Sequence, residues 1–135
     1  MQKLIEAVKL SEGFRDKVYK DTLGIDTIGI GFAIKDLELS EEVCGMILKE
    51  KLEVLEERFE KKFDWFKASP VKAREVMLNM AYQLGFSGFC KFKKAIEHMK
   101  DKEFKFASEE MLDSKWAKQT PNRAKRLSEI VWNHG

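Results

Sequence analysis

The chain of 135 residues is long enough for one compact core and too short for two independent domains. Hydrophobic residues make up 44% of it, which excludes a disordered chain, and 8 glycines and 2 prolines are too few for a loop-dominated fold. The net charge is only +2, yet residues 71–135 carry 13 Lys and Arg against 8 Asp and Glu. A basic C-terminal half suits an anionic polymer such as cell wall or nucleic acid.

The N-terminal part of the chain predicts one short helix followed by a small sheet. Apolar residues recur at helical spacing over residues 2–11, and Gly13 ends the predicted helix. Over residues 18–32, β-branched residues flank turn-forming aspartates and glycines. This pattern predicts a β-hairpin or a small meander.

The next segment predicts two long helices. Ser40 is the predicted N-cap of a helix with one core-facing apolar stripe. Ser69, as N-cap, and Pro70, as first helical residue, predict the start of a second helix, which is buried and ends at Gly85. The stripe of the first helix consists of Val43, Ile47, Leu48, Leu52, Leu55 and Phe59.

The C-terminal third predicts further helices. The first is marked by the apolar residues Phe89, Phe92, Ile96 and Met99, and a short second helix covers residues 104–112. A turn is predicted over 114–118, followed by a last helix that Thr120-Pro121 caps. The aromatic residues at helical spacing, including Tyr82 and Trp116, are predicted to lie in the core. Cys44 and Cys90 are predicted to be reduced, partly buried thiols.

Glu12 and Asp21 are candidates for acid–base chemistry. A carboxyl at the C-terminal end of a helix lies at the negative end of the helix dipole, which favours the protonated form that a general acid requires. Two carboxyl groups across a cleft form the equipment of a glycosidase, because one protonates the leaving oxygen and the other activates water or attacks carbon. A hydroxyl such as that of Thr27 can orient the water. Taken alone the pattern is weak, since most acidic residues are surface charges.

Three blocks of sequence resemble one family of enzymes. The blocks are residues 12–31 with EG, YKDT and TIGIG, residues 79–85 with NM and QLG, and residues 116–126 with W and QTPNRAKR. They occur in family order and span nearly the whole chain. The chain therefore resembles the phage-type lysozymes, the endolysins of glycoside hydrolase family 24, which include the lysozyme of T-even bacteriophages.

The resemblance implies a reaction and a role for three residues. Carried over position by position, Glu12 is the general acid, Asp21 assists the attacking water and Thr27 holds that water. The family hydrolyses the β-1,4 bond between N-acetylmuramic acid and N-acetylglucosamine in peptidoglycan without metal or cofactor, and its phage members invert the anomeric carbon. Inversion requires space for a water molecule, so we expect roughly 6.5–9.5 Å between the two carboxyl groups.

Four more residues are candidates for supporting the site or binding substrate. The family arginine that matches Arg123 lies near the catalytic glutamate, and our hypothesis is that Arg123 mainly fixes the rotamer of Glu12; an ordinary ion pair joining two lobes is the alternative. Gln83 can hydrogen-bond an N-acetyl group or, equally, the carbonyls at its helix end. Gly31 belongs to the TIGIG block. Phe32 stands where the family usually has histidine, which removes a polar contact but no catalytic group.

The resemblance also implies a fold, an α+β and predominantly α lysozyme-like domain over residues 1–135. A small lobe of about residues 13–60 with the hairpin and a long connecting helix precedes a helical lobe of about residues 61–135, which also includes the N-terminal helix 1–12. The segment between hairpin and long helix is shorter than in the T-even enzyme. One lip of the cleft is therefore expected to be trimmed.

The implied biology is that of an endolysin. Peptidoglycan is the expected substrate of a monomer that binds no nucleic acid and has no stable membrane association. The N-terminus has no apolar run of signal-peptide length and no stretch is long enough to span a bilayer. We therefore expect the protein to wait in the cytoplasm of the infected bacterial cell until a holin gives it access to the wall at lysis.

Three alternatives stay open at this point. The first is a lysozyme-like module that binds peptidoglycan without cutting it, although all three catalytic residue types are present. The second is nucleic-acid binding through the basic cluster at residues 123–126, which is short and lacks a recognisable reading motif. The third is cleavage of a peptide or amide bond in the wall, which the lack of a His/Cys cluster for zinc or of a thiol nucleophile disfavours.

Overall fold

The computed structural model describes residues 1–134 and gives a mainly helical chain with one small sheet near its N-terminus, which confirms the predicted α+β class. In chain order the elements are α1 (Gln2–Glu12), β1 (Arg15–Lys20), β2 (Asp26–Gly29), β3 (Phe32–Ala33), a 3-10 helix (Ile34–Asp36), α2 (Glu41–Lys62), α3 (Val71–Leu84), α4 (Phe86–Phe89), α5 (Lys93–Lys100), α6 (Phe104–Leu112), α7 (Lys115–Gln119) and α8 (Pro121–Trp132).

The chain divides into two compact units, Met1–Cys44 and a second that begins at Gly45. Helix α2 starts in the first unit and continues into the second. Its start agrees with the sequence prediction, since Oγ of Ser40 accepts a 3.2 Å hydrogen bond from the backbone N–H of Val43. Ser40 therefore caps one of the free N–H groups of the first turn.

The sheet in the first unit is an antiparallel meander in the order β1-β2-β3. Thr27 on the central strand lies opposite Tyr19 on one side and Ala33 on the other, and it is buried. A 2.6 Å ion pair joins Lys20 to Asp26 where β1 turns into β2. The side chains of both residues are more than half exposed, so the pair contributes little stability and mainly accompanies the turn.

The core of the second unit forms around Phe59 of α2, which has no exposed surface. The ring centroids of Phe66 and Phe89 lie 5.0 Å from that of Phe59, and those of Phe86 and Phe63 lie at 5.1 and 5.9 Å. Methionines and alanines of the following helices complete the cluster; they include Ala73, Met77, Met80, Ala81, Ala95, Met99, Ala107, Met111, Ala117 and Ala124.

The apolar stripe of α2 is only partly a core face. Phe59 is buried and Leu55 is partly buried against the core, whereas Val43, Ile47 and Leu48 are exposed. The prediction was therefore wrong for the first half of the helix. The reason is that the aromatic rings of the second unit gather around the C-terminal turns of α2.

Three other local predictions are corrected. Ser69 does not cap α3, because its hydroxyl donates to the carbonyl oxygen of Trp65 and Pro70 occupies the N-cap position. The helix predicted around Phe89–Met99 is two helices, α4 and α5, separated by a turn. Tyr82 is 49% exposed rather than core, since it lies on the side of α3 that faces away from the buried cluster.

Of the remaining predictions, the short helix over 104–112 agrees with α6, whereas the turn predicted over 114–118 is the helix α7, and the partial burial predicted for Cys44 is wrong. Gly85 ends α3 with a φ of +79°, a conformation that favours glycine. Trp116 is buried, as predicted. Both cysteines are free thiols, but Cys44 is exposed and only Cys90 is partly buried. Within residues 1–134, no helix combines the length and apolar character that crossing a membrane requires.

Candidate active site

Glu12 is the last residue of α1, and its carboxyl group lies against the turn between β2 and β3. The helix ends because Gly13 adopts a φ of +75°, outside the helical region, although its N–H still donates to the carbonyl of Lys9 at 2.7 Å. The side chain then occupies the space where a residue larger than glycine at position 31 would stand. A methyl group added to Gly31 would lie 2.6 Å from Oε2 of Glu12. Gly31 therefore leaves room for the carboxyl group.

Asp21 organises the turn that joins β1 to β2. Its Oδ1 accepts hydrogen bonds from the backbone N–H groups of Leu23 at 2.8 Å and Ile25 at 2.9 Å. Its own backbone closes the turn, because its N–H donates to the carbonyl of Ile25 and its carbonyl accepts from Gly24, both at 3.0 Å. One carboxylate oxygen is thus fixed by the main chain, and the rotamer of Asp21 is set before any substrate binds.

Thr27 is connected to Asp21 through one carbonyl oxygen. The hydroxyl of Thr27 donates to the carbonyl of Ile25 at 2.9 Å, and that same oxygen accepts from the backbone N–H of Asp21. Since the hydroxyl hydrogen is already used, the oxygen of Thr27 can only accept a hydrogen bond from a further partner. Thr27 is 3% exposed, so its orientation is fixed by its surroundings.

The three predicted catalytic residues lie around one strand. Asp21 belongs to the turn before β2, Thr27 is on β2, and Glu12 packs against Gly31 in the turn after β2. Short strands and tight turns hold all three within the first unit. Asp21 and Thr27 share the carbonyl oxygen of Ile25 as an acceptor, and their action on a water molecule stays a prediction.

Phe32 starts β3 and contacts Gly29, the last residue of β2. It lies opposite Ile28 in the strand register, whereas Ala33 lies opposite Thr27. Since successive side chains of a strand point to opposite faces, Phe32 lies on the face opposite to Thr27. A methyl group added to Gly29 would lie 2.8 Å from the Phe32 ring. Phe32 therefore packs over the backbone of the turn, and its role towards substrate stays a prediction.

Gln83 lies at the end of α3 in the second unit and is paired with Trp116. Its Oε1 accepts a 2.8 Å hydrogen bond from the indole N–H. The amide oxygen therefore satisfies the polar atom of a buried ring, which is neither of the two partners that the sequence suggested. The amide NH2 can still donate to a ligand, and substrate binding by Gln83 stays a prediction.

Arg123, in the first turn of α8, is held by Asn79 of α3. Its Nε donates to the side-chain oxygen of Asn79 at 3.0 Å, and its Nη2 donates to that oxygen at 2.6 Å and to the Asn79 carbonyl at 3.0 Å. The guanidinium is thus oriented within the second unit by a residue of one of the three sequence blocks. Its proposed action on Glu12 stays a prediction.

Two groups that position the site were missed at the sequence level. The carbonyl of Ile25 joins Asp21 to Thr27, and no side-chain pattern can reveal a main-chain acceptor. Asn79 orients Arg123, and the only sequence feature that could have pointed to Asn79 is its place in the NM motif of the block at residues 79–85. Within residues 1–134, no group of three or more His, Cys, Asp and Glu side chains is arranged to hold a metal ion.

The amino-acid sequence matches a family of known proteins over most of its length. A sequence profile described as "Phage lysozyme" matches residues 9–130. The "Probable T4-type lysozyme 2" of Dictyostelium discoideum is 28% identical over 156 residues, covering 94% of this chain and 92% of that protein. The "Probable T4-type lysozyme 1" of the same organism is 27% identical over 155 residues, with 93% and 91% covered. The "Pre-baseplate central spike protein Gp5" of Enterobacteria phage T4 is 30% identical over 156 residues, but these make up only 27% of that protein and 95% of this chain.

Proposed function

Because the chain belongs to the phage lysozyme family, we propose that it is an endolysin that cuts the β-1,4 bond between N-acetylmuramic acid and N-acetylglucosamine. Family membership makes it a lysozyme, a glycoside hydrolase of the muramidase type that acts on peptidoglycan. The position of the cut bond, the roles of the residues and the lysis of a host are the parts that we propose.

Glu12 is the proposed general acid. Its side chain is solvent-accessible at the end of α1, and Gly31 holds no side chain that would displace it. In the reaction, Glu12 gives its proton to the bridging oxygen as the bond between that oxygen and the anomeric carbon breaks. The departing sugar then leaves as a neutral alcohol, and Glu12 remains as a carboxylate.

Asp21 and Thr27 are the proposed partners of the attacking water. The water donates one hydrogen to a carboxylate oxygen of Asp21 and the other to Oγ1 of Thr27, whose own hydrogen is used on Ile25. Its oxygen attacks the anomeric carbon from the face opposite to the leaving group, and Asp21 accepts the released proton. The product has an inverted anomeric centre. Binding of both residues to one carbonyl oxygen is the observation that carries this assignment.

The proposed setting is that of phage lysis. The enzyme is proposed to act as a monomer, without a metal or cofactor and without stable membrane association or nucleic-acid binding. It accumulates in the cytoplasm of the infected bacterial cell and reaches the wall when a holin opens the inner membrane.

The decisive experiment is digestion of purified peptidoglycan followed by analysis of the products. We expect new reducing ends from the wild-type enzyme and a rate lower by about 10²–10⁴-fold for Glu12→Gln. Asp21→Asn keeps a side-chain oxygen for the N–H groups of Leu23 and Ile25, so it should retain its fold and lose activity to a similar extent. Newly released free amines, or full activity of Glu12→Gln, would reject the proposal.

A further inference from the structure

A cavity of about 600 Å³ lies between the start of α5, the end of α6 and α7. Its lining residues all fall between Leu84 and Gln119, so it belongs to the second unit and contains none of the three proposed catalytic residues. The volume is within the range of roughly 300–1,000 Å³ that is typical of ligand sites. We call it the lysine cavity after its charged residues, which are Lys91, Lys93, Lys94, Lys115, Glu110 and Asp113.

The lysines of this cavity are not neutralised by the protein. All four are exposed, and none of them forms a salt bridge with any residue of 1–134. Four lysines against two carboxylates leave the lysine cavity with a net charge of +2. Neighbouring positive charges repel each other, and an anion that binds among them removes this repulsion. The lysine cavity therefore favours an anionic ligand.

Two of the lysines occupy positions that cost the helix stability. Lys93 and Lys94 are the first two residues of α5, and its first turn contains no acidic residue. The N-terminal end of a helix is the positive end of its dipole, so positive charges there are unfavourable. Stability of the helix therefore gives no reason for this pair of lysines, whereas binding of an anion does.

The kinds of charged group indicate a polymer that carries both phosphates and hydroxyls. Lysine binds phosphate as a point charge, without the planar paired geometry that arginine imposes. Lysines on two helices thus suit successive phosphates of a flexible chain. Glu110 and Asp113 repel phosphates, but they accept hydrogen bonds from hydroxyl groups. The backbone of duplex DNA has no free hydroxyl along its length, so these two carboxylates disfavour DNA.

We propose that the lysine cavity binds a poly(alditol phosphate) chain, a wall polymer in which phosphodiesters alternate with hydroxyl-bearing carbons. The lysines pair with the phosphates, Glu110 and Asp113 accept hydrogen bonds from the hydroxyls, and the partly buried ring of Phe92 forms an apolar floor. The choice of a wall polymer rests on the proposed function, because an enzyme that acts on peptidoglycan meets such chains attached to it. Binding directs the enzyme to walls that carry the polymer.

The test is binding of the whole chain to purified poly(glycerol phosphate), measured by isothermal titration calorimetry without peptidoglycan. We expect the double variant Lys93→Ala/Lys94→Ala to weaken binding roughly tenfold, because it removes half of the lysines at the cavity. Lys93→Arg/Lys94→Arg keeps both charges and should bind like the wild-type protein. Increasing salt should weaken binding of the wild-type protein more steeply than that of the alanine variant, since the variant releases fewer counterions.

A matched control is Lys49→Ala/Lys51→Ala. Both residues are exposed on α2 and lie outside the cavity, and the variant loses the same two charges. It should retain most of the wild-type affinity. Equal weakening by the two alanine variants would overturn the proposal, because net charge alone would then explain the binding. Absence of binding by the wild-type protein would also overturn it, as would tighter binding of duplex DNA than of poly(glycerol phosphate) through Lys93 and Lys94.

The two carboxylates give a second measurement. Glu110→Ala/Asp113→Ala removes repulsion of phosphates but also removes the acceptors for hydroxyl groups. The variant should therefore gain more affinity for inorganic polyphosphate, which has no hydroxyl groups along its chain, than for poly(glycerol phosphate). Equal gains for the two polymers would show that the carboxylates do not bind hydroxyls and would overturn the choice of polymer.

The proposed function and the lysine cavity fail in different ways. The isolated polymer contains no glycosidic bond, so the calorimetric result does not depend on cleavage of peptidoglycan. If the wild-type enzyme releases no reducing ends but binds the polymer through Lys93 and Lys94, the proposed cleavage is wrong and the lysine cavity is retained. If the enzyme cuts peptidoglycan but does not bind the polymer, the lysine cavity is wrong and the cleavage is retained.

Discussion

The first unit and the second unit differ in the interactions that stabilise each of them internally. Among residues 1–44 only Thr27 is buried, and the proposed catalytic residues are positioned by main-chain hydrogen bonds and glycine turns. The second unit has a continuous aromatic and methionine core around Phe59. Main-chain bonds fix direction and spacing, whereas side-chain packing supplies most of the free energy of folding. The comparison indicates that one set of residues positions the proposed catalytic groups and that a separate set supplies the stability of the chain.

The strongest challenge to this comparison is removal of the central ring of the second unit. Phe59→Ala should lower the free energy of unfolding by about 3–5 kcal/mol, because it leaves a cavity among four aromatic rings. Urea denaturation followed by circular dichroism measures this loss. Phe106→Ala, at an exposed position of α6, is the control and should cost less than about 1 kcal/mol. Equal losses for both variants would contradict the assigned core.

A glycine substitution tests the first unit through activity. Gly31→Ala places a methyl group 2.6 Å from Oε2 of Glu12 and should displace the carboxyl group. Misplacement of a catalytic group by about 1 Å can reduce the rate about 10²-fold. Gly85→Ala is the matched control, because Gly85 has a similar φ of +79° but nothing within 4 Å of an added methyl group, and it lies in the second unit away from the three proposed catalytic residues. Peptidoglycan hydrolysis by Gly31→Ala at the rate of Gly85→Ala would show that Gly31 does not position Glu12.

Substitution of Ser40 tests the N-cap of α2 that the sequence predicted. Ser40→Ala should lower the free energy of unfolding by about 1 kcal/mol, since the N–H of Val43 loses its acceptor. Ser40→Asp keeps an acceptor and adds a charge that the helix N-terminus favours, so it should retain stability. Thermal or urea denaturation of the three proteins measures the difference. Loss of stability in both variants would argue against capping as the function of Ser40.

The smallest expected effect concerns Cys90 in the second unit. Burial raises the pKa of its thiol above the ordinary value of 9.0, and the positive charges of Lys62 and Arg58 only partly oppose this. Since the thiolate is the reactive form, alkylation of Cys90 at pH 8 should be slower in the folded than in the unfolded protein. Iodoacetamide labelling of Cys44→Ser, which leaves Cys90 as the single thiol, measures both rates.

The same shift links stability to pH. A folded-state pKa above the unfolded value means that the folded protein holds the thiol proton more tightly. The contribution of Cys90 to stability is therefore fully present below the unfolded pKa and is lost as the pH rises through the folded pKa. Cys90→Ser should remove this decline at alkaline pH. If Cys90→Ser loses as much stability at alkaline pH as the wild-type protein, the loss is caused by other titratable groups.

The sequence by itself determined the local and chemical features of this protein. Gly13 and Gly85 predicted two helix ends, and Ser40 predicted a cap, because backbone conformation and short-range hydrogen bonds depend on neighbouring residues alone. The class of fold and the family followed from three blocks of residues in order. Glu12, Asp21 and Thr27 could be chosen as candidates on the same basis.

Only the tertiary structure decided how distant groups meet. Sequence periodicity could not show that Tyr82 is exposed, that Ser69 binds Trp65, or that Asn79 orients Arg123, because each depends on which surfaces pack together. The carbonyl of Ile25 likewise became visible as the shared acceptor of Asp21 and Thr27 only when the turn was formed. Side-chain pairing across the chain is set by packing of whole elements, and that packing has no local signature.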